Sequence, residues 1–233
     1  MRLSIIIPVY NEQQTIGEIV DRVCAAPIGD IEKEIIIAND GSSDGTRNII
    51  AARAWSSDPR VKIYDSPINL GKGAAVRLGL HFATGDIVLI QDADLELDPN
   101  ECLHLITPIL DGRTSVVYGS RFLRPTAHIR LRTKLANRLL TMVTNVLFGA
   151  RLTDMETAYK VMRMEVIRSI RLRAVGFDFE PELTAKLLLS GRQIIEVPIG
   201  YHPRRENEGK KIRWVDGLDA AYMLFKCRLT GGR

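Results

Sequence analysis

The stretch that decides the fold covers residues 86–94 and reads Asp86-Ile87-Val88-Leu89-Ile90-Gln91-Asp92-Ala93-Asp94. Its apolar centre predicts a buried strand, and two carboxylates, Asp92 and Asp94, stand one residue apart where that strand ends. Hard oxygen ligands suit Mg²⁺ or Mn²⁺, and Mg²⁺ usually takes one or two protein carboxylates together with water and substrate phosphates. The pair therefore indicates a divalent cation on a diphosphate. The alternative is a solvated turn leading to Asp98-Pro99-Asn100, because Asp and Pro both favour turns.

Short apolar strands alternate with helical patterns through the first half of the chain. The predicted strands are Leu3–Ile7, Glu34–Ala38, Val61–Tyr64 and Asp86–Ile90, and the predicted helices are Glu12–Ala25, Thr46–Trp55 and Gly73–Ala83. This alternation is typical of an α/β fold with a mostly parallel central sheet and helices on both faces. Ligands of such sheets bind outside the carboxyl ends of the strands, where Asp92 and Asp94 then lie.

Polar residues also follow the first two predicted strands. Residues 8–12 read Pro8-Val9-Tyr10-Asn11-Glu12, and residues 39–46 read Asn39-Asp40-Gly41-Ser42-Ser43-Asp44-Gly45-Thr46. Acids, amides and hydroxyls at this edge would bind a nucleotide. A turn that ends in a helix cap at Ser43 or Asp44 also explains the second loop, and the two roles can coexist.

Composition and charge limit the class of protein but do not identify its partner. The chain has 233 residues, 45% of them hydrophobic, which suits one main domain, and its net charge of +4 permits several anionic partners. The three cysteines are scattered outside metal-ligand spacing and indicate reduced thiols. No segment approaches the roughly 18 apolar residues of a spanning helix, and the amino terminus lacks a signal pattern, so we expect a cytoplasmic location.

The second half of the chain carries amphipathic helices. We expect a helix over Glu101–Leu110, a strand over Ser115–Tyr118, a basic and then apolar helix over Arg130–Phe148, a helix over Pro181–Leu189, a strand over Ile194–Ile199 and an amphipathic segment over Trp214–Lys226. Basic residues beside an apolar face are typical of helices that lie in the interface of an anionic membrane, although ordinary packing on the main domain also explains them.

Two short motifs offer positive charge near the predicted edge. Gly71-Lys72-Gly73 looks like a phosphate loop, but it lacks the third glycine of a dinucleotide fingerprint and the Lys-Ser or Lys-Thr pair of a P-loop. Lys72 is then either a charge near a diphosphate or a solvated cap residue. Arg121 follows a predicted strand, and its planar donor fork suits phosphate, although a surface ion pair is the commoner use of a single Arg.

Two polar segments complete the candidates. Residues 153–160 place carboxylates, hydroxyls and a lysine between apolar stretches, which favours either the lining of a cavity or a structural network. Residues 202–211 have the composition of a basic lid, which would place Arg205 or Lys211 against the charge of a leaving pyrophosphate. The alternative for this second segment is an exposed loop without contacts.

Taken together, these motifs resemble those of family 2 glycosyltransferases with the GT-A fold; they lie at residues 9–12, 40–46, 69–73, 92–94 and 119–121. Nearly the whole chain is similar to polyprenyl-phosphate glycosyltransferases of the dolichol-phosphate mannose synthase type. The resemblance implies an inverting transfer of a sugar from a nucleotide-sugar, GDP-mannose or a UDP-sugar, to a dolichyl or undecaprenyl phosphate at a membrane surface. It implies one domain over residues 1–233, with a donor-binding half over 1–126 and an acceptor- and membrane-facing half over 127–233.

The resemblance also implies roles for individual residues. The donor nucleotide would be bound by Pro8, Tyr10, Asn11, Glu12, Asp40, Ser42, Lys72, Asp92, Ala93 and Asp94. A Mg²⁺ or Mn²⁺ ion would be held by Asp92, Asp94 and Glu96, where Glu96 stands at a position that is often Gln in the family. The acceptor phosphate would be held by Arg121, Arg132 and Asn137, and the closing loop would carry Arg204, Arg205 and Lys211. Catalysis would depend on Asp92, Asp94, Arg121 and Arg205.

The identity of the acceptor decides which chemistry is needed. A phosphate is already anionic and needs positioning more than deprotonation. A sugar hydroxyl in polysaccharide or glycolipid synthesis, the first alternative, would need a general base, for which Asp154 and Asp178 are candidates. The second alternative, a non-catalytic nucleotide-sugar-binding adaptor, is disfavoured by the intact Asp92 and Asp94. We expect no nucleic-acid partner, because only 6% of the residues are aromatic.

We expect membrane contact to be peripheral. Many relatives of this type carry transmembrane helices at the carboxyl end, and this chain ends at Arg233 without one. Either its two amphipathic helices bind the cytoplasmic face of a membrane, or a separate membrane-anchoring subunit recruits it.

Overall fold

The computed structural model describes residues 1–124, 129, 131–204 and 214–232. The strands are β1 (Arg2–Val9), β2 (Glu32–Asn39), β3 (Val61–Asp65), β4 (Ile87–Ile90), β5 (Val116–Ser120), β6 (Lys160–Arg163) and β7 (Ile194–Pro198). The α-helices are α1 (Ile16–Ala25), α2 (Thr46–Ala52), α3 (Lys72–Phe82), α4 (Cys102–Leu110), α5 (Leu131–Phe148), α6 (Met164–Arg168), α7 (Phe179–Leu189) and α8 (Trp214–Thr230). Short 3₁₀ helices cover Ala54–Ser57 and Pro99–Glu101.

Within the described residues, the strands form one seven-stranded sheet in the order β3-β2-β1-β4-β6-β5-β7. Strand β1 pairs in parallel with β2 and β4, β2 pairs with β3, and β5 pairs with β7. Strand β6 runs antiparallel between β4 and β5. The prediction of a mostly parallel sheet is confirmed, and the ends of the parallel strands meet the start of β6 at one edge of the sheet.

Helices cover both faces of the sheet, as the sequence predicts. Successive residues of β1 point to opposite sides: Ile5 and Ile7 pack with α1 and α4, whereas Ile6 packs with α3, α5, α7 and α8. All three isoleucines are fully buried. Burial on both faces is why such a strand is apolar at successive positions.

The start of α3 is capped by the loop that precedes α7. Gly71 has a φ of 106°, and a Cβ at this position would lie 2.4 Å from the carbonyl oxygen of Val175. The amide of Gly73 donates to the carbonyl oxygen of Gly176 at 3.2 Å. Glycine is therefore required here by close backbone packing, and part of the first turn is satisfied by protein rather than left for an anion.

The structure differs from the sequence predictions in two additional elements and in several helix bounds: the helix predicted over Thr46–Trp55 ends at Ala52, and the segment predicted over Trp214–Lys226 continues to Thr230. Strand β6 and helix α6 are not predicted, because four residues that begin with Lys160 and end with Arg163 lack the apolar run of the other strands. Helix α1 begins at Ile16 rather than Glu12, because the amide of Glu12 donates to Thr46 Oγ1 at 2.9 Å and is held outside the helix.

None of the helices in the described part of the chain is long and apolar enough to cross a bilayer.

Candidate functional site

The predicted donor residues lie at the edge where the parallel strands end. Asp92 follows β4, Asn11 follows β1 and Asp40 follows β2. Pro8 lies inside β1, and both Pro8 and Ala93 are buried, so these two residues shape the edge through backbone and packing.

Lys72 joins the first carboxylate of the predicted metal pair to helix α7. Its Nζ lies 2.8 Å from Oδ1 of Asp92 and 2.7 Å from Oε1 of Glu180, and 15% of its side chain is exposed. Burial lowers the pKa of this amine, but the charges of Asp92 and Glu180 outweigh burial and raise the pKa of Lys72 above its ordinary value. A fixed cation therefore stands beside Asp92.

Arg204 lies over the second carboxylate. Its Nη2 lies 2.8 Å from Oε1 of Glu12 and 3.5 Å from Oδ2 of Asp94, and its Nε donates to the carbonyl oxygen of Asp94 at 3.2 Å. Glu96 accepts hydrogen bonds from the amide of Arg204 and from the hydroxyl of Tyr201, each at 3.0 Å. These contacts hold residues 201–204 over the acidic side chains at this edge of the sheet. The predicted Arg205 and Lys211 lie outside the described residues.

The donor set fits a divalent cation through two of the three predicted ligands. Asp92 and Asp94 supply the one or two carboxylates that Mg²⁺ ordinarily takes. Each oxygen of Glu96 accepts one hydrogen bond, so a metal contact by Glu96 would use the lone pairs that Tyr201 and the Arg204 amide leave over. Within the described ranges, no group of three or more His, Cys, Asp or Glu side chains is arranged to hold a metal. A bound ion would therefore need oxygens from water or a diphosphate.

The loops after β1 and β2 hold each other in place. The amide of Asn11 donates to Ser42 Oγ at 2.9 Å. The two carboxylate oxygens of Asp40 accept the amides of Leu70 and Gly71 at 2.9 and 2.7 Å. Asp40 is 4% exposed, so a contact with a nucleotide base or ribose would use lone pairs that these amides leave over.

Arg121 is paired with Asp154. Its Nε and Nη2 each donate to a carboxylate oxygen of Asp154 at 2.7 Å, and its backbone amide donates at 3.0 Å. The amide of Asp154 donates to Glu196 Oε1 at 2.9 Å, and the Arg121 guanidinium lies 5.3 Å from the Tyr201 ring centre. Because the charge of Asp154 is neutralised by two hydrogen bonds from Arg121, Asp154 is poorly placed to act as the general base of the hydroxyl-acceptor alternative.

A buried lysine fixes the turn between α5 and β6. Lys160 Nζ donates to the carbonyl oxygen of Met155 at 2.9 Å and also to that of Thr157, and it lies 4.7 Å from the Tyr118 ring centre. Burial lowers the pKa of Lys160 to about 8, although neighbouring carboxylates oppose the shift. The two carbonyls flank Glu156 in the sequence, so Lys160 fixes the backbone that carries the Glu156 side chain.

The acceptor residues predicted on α5 lie on different faces of the helix. Arg132 is exposed in the first turn, and Asn137 is 9% exposed. A groove of about 550 Å³ runs beside the helix. It is lined by Phe122, Arg138, Thr141, Met142, Asn145, Val146, Leu152 and Thr153. Among the described residues that line this groove, Arg138 is the one cation. Its guanidinium lies 5.9 Å from the Phe122 ring centre.

The family of the chain follows from a match over most of its length. Residues 4–171 match the family model described as Glycosyl transferase family 2. The chain belongs to glycosyl transferase family 2. The family resemblance that its motifs carry is therefore confirmed.

A curated relative of this family 2 chain is dodecaprenyl-phosphate galacturonate synthase from Rhizobium johnstonii. The two are 27% identical over 220 residues, which cover 90% of this chain and 62% of the relative. The chain thus spans less than two thirds of the length of that relative.

Solved structures with a similar fold include glucosyl-3-phosphoglycerate synthase from Mycobacterium tuberculosis. Its complex with phosphoglyceric acid has a TM-score of 0.73 at 23% identity, and the match covers 99% of this chain and 79% of that one. Its complex with Mn²⁺, UDP and glucosyl-3-phosphoglycerate has a TM-score of 0.72 at 22% identity, with the same coverage. This likeness confirms the GT-A fold of the family 2 chain.

Three residues near the candidate site of this family 2 chain are not among the individual site residues predicted from the sequence. Arg138 could have been found, because it shares a face of the predicted helix with Thr141 and Asn145 at spacings of three and seven residues. Glu180 and Glu196 could not, because their roles depend on ion pairs and hydrogen bonds with residues distant in sequence.

Proposed function

We propose that the chain transfers a sugar from a nucleotide-sugar to a polyprenyl phosphate at a membrane surface, with a divalent cation at Asp92 and Asp94. The observation that carries this proposal is the groove beside α5, whose lining includes both Thr153, next to Asp154, and the exposed residue Val146. The name of the Rhizobium relative, a dodecaprenyl-phosphate synthase, supports the same acceptor class.

Two exposed apolar rows support the membrane part of the proposal. Helix α5 exposes Leu131, Leu135, Leu139, Met142 and Val146, and helix α8 exposes Leu218, Tyr222, Phe225 and Leu229. The nine side chains are between 50% and 85% exposed, and α5 packs against α8. Apolar faces of this size favour the boundary between lipid headgroups and acyl chains over water. A peripheral position at the cytoplasmic face remains the predicted location.

The groove offers a path for a phosphate that carries a long apolar tail. Arg138 and Thr153 supply polar groups to the groove, and Met142 and Val146 belong to the exposed apolar row of α5. Arg138 is therefore our candidate for the acceptor-phosphate contact on α5, together with the Arg121 of the sequence prediction. Arg121 would act as part of its pair with Asp154.

The proposed reaction needs positioning rather than proton removal. An oxygen of the acceptor phosphate attacks the anomeric carbon, the bond from that carbon to the diphosphate breaks, and the nucleoside diphosphate leaves with the electron pair. Lys72 would hold Asp92 in place, and Arg204 lies near enough to Asp94 to face a diphosphate. The cation, when bound, would supply positive charge against the leaving diphosphate.

The test is a transfer assay with a matched pair of arginine variants. Purified protein is offered UDP-glucose, UDP-glucuronate and GDP-mannose with Mn²⁺ and a short polyprenyl phosphate, and both nucleoside diphosphate release and lipid-linked product are measured. We expect Arg138→Ala to lower kcat/KM for the lipid about 10- to 100-fold, as loss of a charged hydrogen bond does, and to leave nucleotide-sugar binding unchanged.

The control variant is Arg192→Ala, which removes an exposed arginine from the turn before β7. It should behave as wild type. Arg121→Ala is less informative alone, because it leaves the buried Asp154 without its partner. Lipid-linked product that forms equally well with Arg138→Ala would contradict the acceptor role of the groove, and absence of lipid product from wild type would contradict the proposed function.

A further inference from the structure

The loop before β6 lies between the two halves of the site. Because β6 runs antiparallel between β4 and β5, it starts at the same edge at which those two strands end. Asp92 follows β4 and Arg121 follows β5, so residues 153–157 lie between the predicted metal pair and the Arg121 side chain. A sugar that moves from a diphosphate to an acceptor phosphate would lie beside this loop.

The loop is held rigidly at most of its polar groups. The amide and the hydroxyl of Thr153 donate to Glu196 Oε2 at 2.7 and 3.0 Å. The amide of Met155 donates to Thr141 Oγ1 at 3.1 Å, and Lys160 donates to the carbonyl oxygen of Met155. A loop so fixed presents its remaining side chains in defined positions.

Two adjacent side chains of this loop have buried oxygens that make no hydrogen bond. They are Oε1 of Glu156 and Oγ1 of Thr157, and in the described part of the chain Trp55 Nε1 is the one further buried side-chain atom of this kind. Thr157 is fully buried, whereas Glu156 is partly exposed. Buried polar atoms normally have partners, so two neighbouring exceptions at a ligand-binding edge point to groups that a ligand supplies.

The cations near Glu156 bind other groups, and Lys160, whose charge lowers the pKa of Glu156, donates to two backbone carbonyls rather than to this carboxylate. Arg121 pairs with Asp154, and Lys72 pairs with Asp92 and Glu180. None of the ion pairs among the described residues includes Glu156. Burial and the charge of Glu180 raise the pKa of Glu156 to about 7, so near neutral pH its carboxyl group both accepts and, in its protonated fraction, donates hydrogen bonds.

We propose that Glu156, with Thr157 beside it, binds hydroxyl groups of the donor's sugar and selects neutral hexoses over uronic acids. The inference rests on the proposed function, because it places the sugar of a nucleotide donor on this loop. In its ionised form, a carboxylate without a paired cation attracts hydroxyl hydrogens and repels the carboxylate of a uronate, and in its protonated form it donates to a hydroxyl oxygen. The preferred sugar would then differ in charge from the galacturonate in the name of the Rhizobium relative.

The test measures binding and does not depend on the lipid acceptor. Calorimetric titrations with UDP, UDP-glucose, UDP-glucuronate and GDP-mannose in the presence of Mn²⁺ are compared for wild type, Glu156→Gln and Thr157→Val. We expect Glu156→Gln to lower the ratio of hexose to uronate affinity about 10-fold or more, and Thr157→Val to weaken hexose binding about 3- to 10-fold. The affinity for UDP should not change in either variant.

The control Glu165→Gln changes an exposed glutamate at the start of α6 and should leave every affinity unchanged. Thermal unfolding identifies a variant that fails to fold. Because Glu156→Gln and Thr157→Val change different side chains of the loop, one variant still tests the inference if the other does not fold. An unchanged hexose-to-uronate ratio in Glu156→Gln, or an equal loss for UDP and for all sugars, would overturn the inference while leaving the proposed transfer intact. A wild type that binds no nucleotide-sugar would overturn both.

Discussion

At the scale of single residues, the same kinds of side chain serve different purposes at the two edges of the sheet. At the carboxyl edge, Lys72 and Arg204 lie beside the two acids predicted to hold a metal. A cation that binds there competes with protein cations for Asp92 and Asp94. Lys72 and Arg204 also offset part of the negative charge that Asp92 and Asp94 bring to this edge.

At the opposite edge, Glu34 belongs to a purely structural network. Its carboxylate accepts hydrogen bonds from Ser4 and Lys62 at 2.5 Å each and from the amide and hydroxyl of Thr84 at 2.8 Å. Burial alone would raise the pKa of Glu34, but these hydrogen bonds outweigh it and lower the pKa from 4.5 to about 2. The network joins β1, β2 and β3 to the turn before β4.

Glu34→Gln should reveal this contribution as a pH-dependent loss of stability. Because the pKa is lower in the folded state, the stabilisation is complete above about pH 4.5 and is lost as the pH falls towards 2. We expect the variant to be about 1–2 kcal/mol less stable than wild type at pH 7, with a difference that shrinks at pH 3. Urea unfolding at both pH values measures this.

Glu32→Gln is the matched control, because Glu32 lies on the same strand and its side chain is 69% exposed. It should change stability by less than about 0.5 kcal/mol. A loss for Glu34→Gln that stays constant from pH 7 to pH 3 would show that the charge of Glu34 is not what stabilises the fold.

At the scale of elements, β6 and the helix pair α5 and α8 organise the proposed acceptor side. The antiparallel β6 brings the loop that contains Glu156 to the edge where parallel strands end. Helices α5 and α8 cover the same face of the sheet and expose apolar rows away from it. One pair of helices thus completes a core on one side and exposes, on the other, the apolar face that we propose binds lipid.

Replacing two leucines of the α5 row with glutamate should weaken membrane binding without unfolding the protein. Leu135 and Leu139 are 60% and 57% exposed, so the double variant Leu135→Glu and Leu139→Glu loses little core packing. We expect partitioning onto vesicles of anionic phospholipid to fall at least about 10-fold, because two apolar contacts become charged. Flotation of protein with vesicles gives the bound fraction.

The same change at Leu103 and Leu110 is the control, since these residues lie on α4 at the other face and are 39% and 38% exposed. This control should bind vesicles as wild type does. Equal vesicle binding by both double variants would argue that α5 does not contact lipid, and would favour recruitment by a separate membrane subunit.

At the scale of the whole molecule, the sequence predicts the fold of the first half of the chain better than that of the second half. Uniformly apolar strands and the acids that follow β4 are local patterns, and they predict the parallel sheet, the helices on both faces and the edge at which the candidate site lies. The resemblance of those motifs to family 2 glycosyltransferases is confirmed by the match over residues 4–171.

The remainder depends on contacts between residues distant in sequence. Strand β6 is short and polar at both ends, so its antiparallel pairing is invisible to periodicity. The pairing of Arg121 with Asp154 spans 33 residues, and that of Lys72 with Glu180 links α3 to α7. Such partners are chosen by topology rather than by local sequence, which is why the charges were predicted but their partners were not.

The central claim is that Asp92 and Asp94 hold a divalent cation on the diphosphate of a nucleotide-sugar. Its most direct test is calorimetric titration of UDP-glucose and GDP-mannose with Mn²⁺ or with EDTA, using wild type, Asp92→Asn, Asp94→Asn and the control Asp30→Asn, which changes an exposed aspartate. We predict that wild type and Asp30→Asn bind at least one donor about 10-fold or more tightly with Mn²⁺ than with EDTA, and that Asp92→Asn and Asp94→Asn lose this difference. Folded wild-type protein that binds donors equally well with EDTA, or that binds none, would contradict the account.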